Sequence, residues 1–188
     1  GFDDSLLEAV RKVPGVAHAS AGVTAIVSVD GSPGQSVYVM GVDLLDDGFF
    51  RTYEGVDRDI GSLADDLEFL NSTDRMLVSE RFAKEHGLKT GDSFRLVTSE
   101  GVQTFYVHAL IKEKGPVKAF GGSMAVMYLG SAQEAFHRGR NIDRIDVAVE
   151  PNLDADEVKA RLARSLGPAF EVERPARRVG NIERMVLS

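Results

Sequence analysis

The last third of the sequence carries the pattern that most restricts how this chain can fold. Apolar and polar residues alternate over 145–149, which predicts a strand. A capping pair then opens a helix over 154–166, in which apolar residues recur every four positions, and Gly167-Pro168 ends it. A second strand follows over 170–173. The succession is a β-α-β unit.

The beginning of the chain has a complementary pattern. Ser5 and Glu8 have capping-box spacing, and the helix they open has one apolar face, formed by Leu6, Leu7, Val10 and Val13. Alternating residues then predict a hairpin of strands 23–29 and 37–42 around an Asp/Gly/Pro turn. We expect this helix and the one over 154–166 to pack side by side on one sheet.

Together the two ends predict an α+β fold with a discontinuous, split ferredoxin-like subdomain, built from 1–45 and 142–174. An inserted β-rich subdomain occupies 46–141. The ferredoxin-like part lacks its first strand. We expect that strand just upstream of Gly1, because without it the sheet is left with an unpaired edge.

The insertion is readable over most of its length, although 43–73 has no clean period. A strand over 76–78 precedes a helix over 80–86, with Ser79 as its cap and Gly87 as its C-terminal glycine. Short strands joined by glycine turns follow as far as 111, and they indicate a small β-rich unit rather than a parallel sheet. Ser131 to Glu134 is a second capping-box spacing, which predicts a helix that ends at Gly139.

The tail over 175–188 is predicted to be an amphipathic helix. Val179, Ile182, Met185 and Val186 lie on one side of it and several arginines lie on the other. We expect it to continue into a membrane helix.

Composition excludes several classes of function. The net charge is −7, which disfavours nucleic acid as a partner because phosphate backbones are repelled. Cysteine is absent, so disulfides and thiolate metal sites are excluded. No histidine pair has metal-ligand spacing, and the acidic pairs lack the rest of a calcium loop. The sequence therefore predicts no metal and no cofactor.

Catalytic motifs are also absent from the sequence. Residues 87–91, GLKTG, have the wrong order for a phosphate-binding loop and follow a helix instead of opening one. Residues 121–124, GGSM, do not form a nucleophile elbow. We therefore predict no catalytic residues and no enzymatic activity.

One longer segment carries a family likeness. Residues 77–92, LVSERFAKEHGLKTGD, resemble a stretch of the periplasmic core domain in MacB-, FtsX- and LolC/E-like permeases of ABC transporters. Further segments are similar to that domain in the same order: 13–16 (VPGV), 39–43 (VMGVD), 128–133 (YLGSAQ), 143–162 and 182–185 (IERM). Matches cover most of the chain, except 46–74.

The resemblance implies two subdomains, Porter at the chain ends and Sabre as the insertion. It implies a bacterial cell-membrane protein with this domain on the periplasmic or extracellular side, between two membrane helices. The implied partners are the flanking membrane helices, a separate ABC ATPase subunit or domain, and a second permease copy in a dimer. A periplasmic adaptor and lipoprotein or peptide cargo are also implied.

Two classes of function remain open at this point. The preferred one is a non-catalytic domain that couples cytoplasmic ATP hydrolysis to export, release or mechanotransmission of a substrate outside the membrane. The alternative is an extracytoplasmic sensor or adaptor module that binds a protein or ligand without transport.

The candidate contact surface for a partner lies in the insertion. It combines apolar residues with neighbouring glycines, which let a loop adapt to its partner. Its candidate residues are Phe49, Phe50, Val117, Phe120 and Met124. An alternative is that these side chains fill a local core.

Overall fold

The computed structural model describes residues 1–43, 67–112, 122–173 and 184–187. The chain forms two compact units: unit 1, residues 1–22 and 140–188, and unit 2, residues 23–139. Strand β2 (Val16–Val29) contributes its first half to unit 1 and its second half to unit 2. The sequence predicts that residues 23–45 belong with the chain ends, whereas the structure groups 23–43 with the insertion.

Unit 1 contains a four-stranded antiparallel arrangement and two helices, among the residues described. Its further elements are β1 (Phe2–Asp3), α1 (Leu6–Arg11), β8 (Asn141–Ile142), β9 (Arg144–Val149), α5 (Ala155–Leu166), β10 (Val172–Glu173) and β11 (Arg184–Leu187). The sheet order is β10-β11-β9-β2, with antiparallel neighbours, and β1 pairs separately with β8.

The predicted β-α-β unit is confirmed as β9, α5 and β10. Alternate residues of β9 are buried, and Val158 and Leu162 of α5 are both fully buried. Asp154 caps the helix by accepting a hydrogen bond from the amide of Asp156 at 2.9 Å. The helix also contacts the turn after α1, where the guanidinium of Arg161 donates to the carbonyl of Pro14 at 3.0 Å.

The first helix is capped by a different residue from the one predicted. Ser5 has helical backbone angles and makes no capping hydrogen bond, so the Ser5 capping box is wrong. Instead, the carboxylate of Asp3 accepts from the amide of Ser5 at 2.9 Å. Hydrogen bonds from Ser5, and the charge of Arg140, lower the pKa of Asp3 below its ordinary value. The carboxylate is the better acceptor because it is charged.

The end of the tail is a strand, and the predicted helix is wrong for 184–187. Strand β11 pairs with β9 on one side and with β10 on the other. Without it, backbone donors and acceptors of β9 would lack partners beside a buried apolar core, and burying such groups unpaired is costly. The remaining tail residues, 175–183 and 188, lie outside the described residues.

Unit 2 is a closed ring of strands. After the second half of β2 come β3 (Ser36–Val42), α2 (Leu67–Asn71), β4 (Arg75–Ser79), α3 (Glu80–Glu85), β5 (Ser93–Thr98), β6 (Gly101–Ile111), β7 (Met124–Tyr128) and α4 (Leu129–Ala135). The order is β2-β3-β7-β4-β6-β5, and β5 pairs again with β2.

The ring mixes parallel and antiparallel pairs. The predicted hairpin is confirmed, since β2 and β3 are neighbours and the amide of Val29 donates to the carbonyl of Gln35. Strands β3 and β7 are parallel, and so are β4 and β6. The expectation that the insertion has no parallel sheet is therefore wrong. Parallel pairs join strands distant in sequence, so local turn patterns do not reveal them.

The fourth helix begins earlier than its predicted cap. Helix α4 starts at Leu129, directly after β7, and no side chain caps it. Ser131 lies inside the helix and is 5% exposed, so the capping box at Ser131 is wrong. The helix packs closely on β3: a Cβ on Gly41 would lie 2.4 Å from the Cβ of Ala132.

Candidate functional site

The structure describes one of the five predicted contact residues. Phe49, Phe50, Val117 and Phe120 lie in 44–66 and 113–121, outside the described residues. Met124 is the first residue of β7 and is only 1% exposed. Met124 therefore belongs to the core of unit 2 and does not contribute to a surface.

Met124 is part of an apolar cluster that lies on one face of four neighbouring strands. The cluster is formed by Met40, Val42, Phe69, Leu77, Ile111, Met124 and Val126. Alternate residues of a strand point to the same face, and the strand registers place the members side by side. Phe69 of α2 lies on this face and is fully buried.

The cluster borders both segments that carry the predicted contact residues. Val42 lies two residues before 44–66, and Phe69 lies three residues after it. Ile111 lies two residues before 113–121, and Met124 lies three residues after it. The described residues that flank these two segments thus belong to one group of buried side chains.

Ser79 joins both ends of the segment 113–121. Its hydroxyl donates to the carbonyl of Gly122 at 2.5 Å and accepts from the amide of Met124 at 3.1 Å. Ser79 is also the register partner of Ile111, where β6 ends next to β4. The side chain is fully buried. The chain therefore leaves β6 and enters β7 within reach of the same residue.

The same hydroxyl also caps α3, as the sequence predicted. It accepts from the amide of Phe82 at 3.3 Å, and Gly87 follows the helix with φ +63°. Sequence analysis missed the contacts with Gly122 and Met124. A helix cap has a local signature, whereas a hydrogen bond to a residue 43 positions later has none.

Gly122 fits this position because it has no side chain. Its φ is +84°, and an added Cβ would lie 2.6 Å from the Cδ of Arg81. Positive φ disfavours other residues, and the arginine stem closes the remaining space. This tight packing fixes the backbone at Gly122, two residues before β7.

Tyr128 marks the opposite end of β7. It is the register partner of Val42, and Asp43 follows directly. Partial burial, and secondly the negative charge of Asp43, raise the pKa of Tyr128 above its ordinary value of 10. Both effects disfavour the phenolate.

Three of the histidines lie against hydroxyl or aromatic side chains of neighbouring residues. His18 lies 3.1 Å from the hydroxyl of Ser20, and His86 and His108 contact the rings of Phe82 and Phe69 at centroid distances of 4.5 and 4.9 Å. Across the residues that the structure describes, no three histidine or acidic side chains come together as a metal site.

Unit 2 also has a shallow cavity of about 300 Å³ beside the turn after β2. Asp30 and Arg95 form an ion pair of 2.7 Å at its rim, and Phe94 contributes an apolar wall. Arg95 is 63% exposed, so the pair is largely solvated and contributes little. The cavity does not bring together groups arranged for catalysis.

None of the helices in the described ranges is long and apolar enough to cross a membrane.

Comparison with known proteins shows which fold this is. The structure is similar to the extracellular domain of the ABC-type transporter YknZ from Gram-positive bacteria, with TM-score 0.55, 15% identity, and coverage of 85% of this chain and 78% of that one. It is also similar to the periplasmic region of MacB from Actinobacillus actinomycetemcomitans, with TM-score 0.53, 11% identity, and coverage of 87% and 74%. No curated protein matches the sequence.

The sequence itself matches a family model. Residues 1–165 match the model of the MacB-like periplasmic core domain, and only β10, β11 and their surroundings lie beyond the match. This family comprises non-catalytic domains of ABC permeases that lie outside the membrane, which agrees with the prediction that the chain is not an enzyme. The chain belongs to the family of MacB-like periplasmic core domains.

Proposed function

We propose that this domain couples ATP hydrolysis on the cytoplasmic side to export, release or mechanotransmission of a substrate outside the membrane. The observation that carries the proposal is the family match over residues 1–165. ATP binding moves the membrane helices that flank the domain, and the domain transmits that movement. The ATPase is a separate subunit or domain, and a second permease copy completes the assembly.

The proposed contact surface for cargo or a periplasmic adaptor lies on 44–66 and 113–121. Phe49, Phe50, Val117 and Phe120 supply its apolar side chains. Two observations support this surface. Both segments border the same buried cluster, and Ser79 joins the ends of 113–121 to β4. The described residues on both sides of 113–121 are therefore held by buried contacts, which suits a segment that binds a partner.

Single-cysteine labelling tests this surface. The chain has no native cysteine, so Val117→Cys or Phe49→Cys introduces the sole thiol in the domain. Glu100→Cys, in the exposed turn between β5 and β6, is the matched control. The full-length permease, with its ATPase in vesicles, is labelled with maleimide in ATP or in ADP, each with and without a periplasmic extract.

We expect the extract to slow labelling at positions 117 and 49, with no change at 100. A difference between ATP and ADP supports coupling to transport. Protection that is the same with either nucleotide favours the sensor or adaptor function. Equal labelling at all three positions under every condition contradicts the proposed surface.

A further inference from the structure

Strand β11 occupies a particular place in the sheet of unit 1. It runs antiparallel to β9 and to β10, and therefore β9 and β10 run parallel with β11 between them. Helix α5 connects β9 to β10 and so passes over one intervening strand. This is a split β-α-β unit, which is complete only when a third strand fills the gap.

The direction of β11 also matches β2. Both strands run antiparallel to β9, so β11 and β2 are parallel and β9 lies between them. The chain enters β2 from α1. A strand in the place of β11 that continued into α1 and β2 would form a second split β-α-β unit, interlocked with the first. The topology thus has a position for a strand that precedes α1.

The ends of the chain agree with this topology. Leu187, the last residue of β11, is the register partner of Ile145, and Phe2 is the register partner of Ile142. Three residues of extended chain span at most about 11 Å. A strand that follows the path of β11 therefore ends close to Gly1, where the chain toward α1 begins.

We propose that the position between β9 and β10 is a strand-acceptor site, and that β11 is an exchangeable occupant of it. Its other occupant, wherever the chain continues ahead of Gly1, is the extended segment that leads into Gly1. That segment binds by main-chain hydrogen bonds to β9 and β10, as in strand addition to a sheet. β11 enters the same site from the C-terminal side.

Several features suit β11 to exchange. β11 forms four residue pairs with β9 and only two with β10. Ten residues, 174–183, separate it from β10, so its departure does not pull on α5 directly. Leu187 is fully buried, and this side chain must be replaced by another apolar one when the occupant changes.

Hydrogen exchange on the 188-residue protein tests whether β11 leaves the site. Amides of β9 alternate between those that donate toward β11 and those that donate toward β2. We expect the β9 amides that face β11 to exchange at least about 10-fold faster than those that face β2. They should exchange at the same rate as the amides of β11 itself. Equal rates for both sets would show that β11 is a fixed core strand and would overturn the proposal.

A rearranged chain tests the second occupant. In this variant residues 184–188 are removed from the C-terminus and placed ahead of Gly1 through a short glycine linker. The matched control is the chain truncated after 183. We expect the truncated chain to lose protection of the β9 amides that face β11, while the β9 amides that face β2 stay protected. The rearranged chain should restore the lost protection.

Cross-linking gives an independent readout of the docked strand. Met185 and Val147 are register partners, so a cysteine at each position lies within disulfide range. We expect a Val147→Cys, Met185→Cys pair to oxidise in the original and rearranged chains, and the off-register pair Val147→Cys, Leu187→Cys to oxidise far less. If the rearranged chain neither forms this cross-link nor protects the amides of β9, the proposal is overturned. This holds even if the truncated control chain is unfolded. None of these readouts involves ATP, so the strand-acceptor site and the coupling function stand or fall separately.

Discussion

The hydroxyl of Ser79 donates a hydrogen bond to the carbonyl of Gly122, 43 residues later in the chain. The same oxygen accepts from the amides of Phe82 and Met124. One buried side chain thus caps a helix and fixes the backbone at the start of β7.

Replacing Ser79 by alanine should destabilise unit 2 by about 1–3 kcal/mol, because it leaves buried donors and an acceptor unpaired. Denaturant unfolding, followed by circular dichroism, measures the change. Ser93→Ala, at an exposed strand position, is the control and should have an effect of less than about 0.5 kcal/mol. Equal effects of the two substitutions would contradict the role assigned to Ser79.

Gly41 allows β3 and α4 to approach each other closely. A Cβ at position 41 would lie 2.4 Å from the Cβ of Ala132, so Gly41→Ala should cost about 1–3 kcal/mol through overpacking. Adding Ala132→Gly should recover part of that loss, since it removes the opposing methyl group. Thermal unfolding of both single variants and the double variant gives the coupling energy. Strictly additive effects would show that the two residues do not oppose each other.

Leu162 is the central buried residue of α5. Leu162→Ala should cost about 2–5 kcal/mol, because a fully buried leucine is replaced by a cavity. Ser165→Ala, on the exposed side of the same helix, is the control for helix propensity. Urea unfolding should show a large decrease of the midpoint concentration for Leu162→Ala but not for Ser165→Ala. Comparable midpoints for the two variants would contradict the burial of Leu162.

Tyr128 gives a prediction about alkaline pH. Its pKa is raised in the folded state by partial burial and by Asp43, so the unfolded chain loses this proton first, near pH 10. The folded state then binds more protons than the unfolded state, and stability falls as pH rises above 10. Absorbance at 295 nm, compared with Tyr128→Phe, isolates this group among the four tyrosines. Asp43→Asn should lower the pKa, and an unchanged titration would rule out the influence of that charge.

The sequence predicted the features of this fold that have a local cause. Residues 145–166 show strand and helix periods directly, and Ser79 stands between an apolar strand and a helix whose end is marked by Gly87. Strand β11 was missed because four residues pair there for a tertiary reason, the gap between β9 and β10. The parallel pairs of unit 2 were also missed, because each joins strands that are far apart in the sequence.

Two capping boxes were predicted wrongly, and at each helix the structure has a different interaction. At α1 the carboxylate of Asp3 replaces the hydroxyl of Ser5. At α4 the helix begins two residues before Ser131 and packs closely on Gly41 of β3. For the candidate site, sequence identified the apolar character of Met124 but not its burial, since a glycine-rich approach looks alike before a core strand and before an exposed loop.

The proposed coupling requires that this domain change its arrangement when ATP binds on the other side of the membrane. Spin labels at Glu100→Cys in unit 2 and Ser165→Cys in unit 1 report the distance between the two units, and both positions are exposed. The measurement is made by pulsed electron resonance on the full-length permease with its ATPase in nanodiscs, in ADP and in ATP with a hydrolysis-deficient ATPase. We predict different distance distributions in the two nucleotide states. Identical distributions, from a complex that binds ATP, would contradict the account.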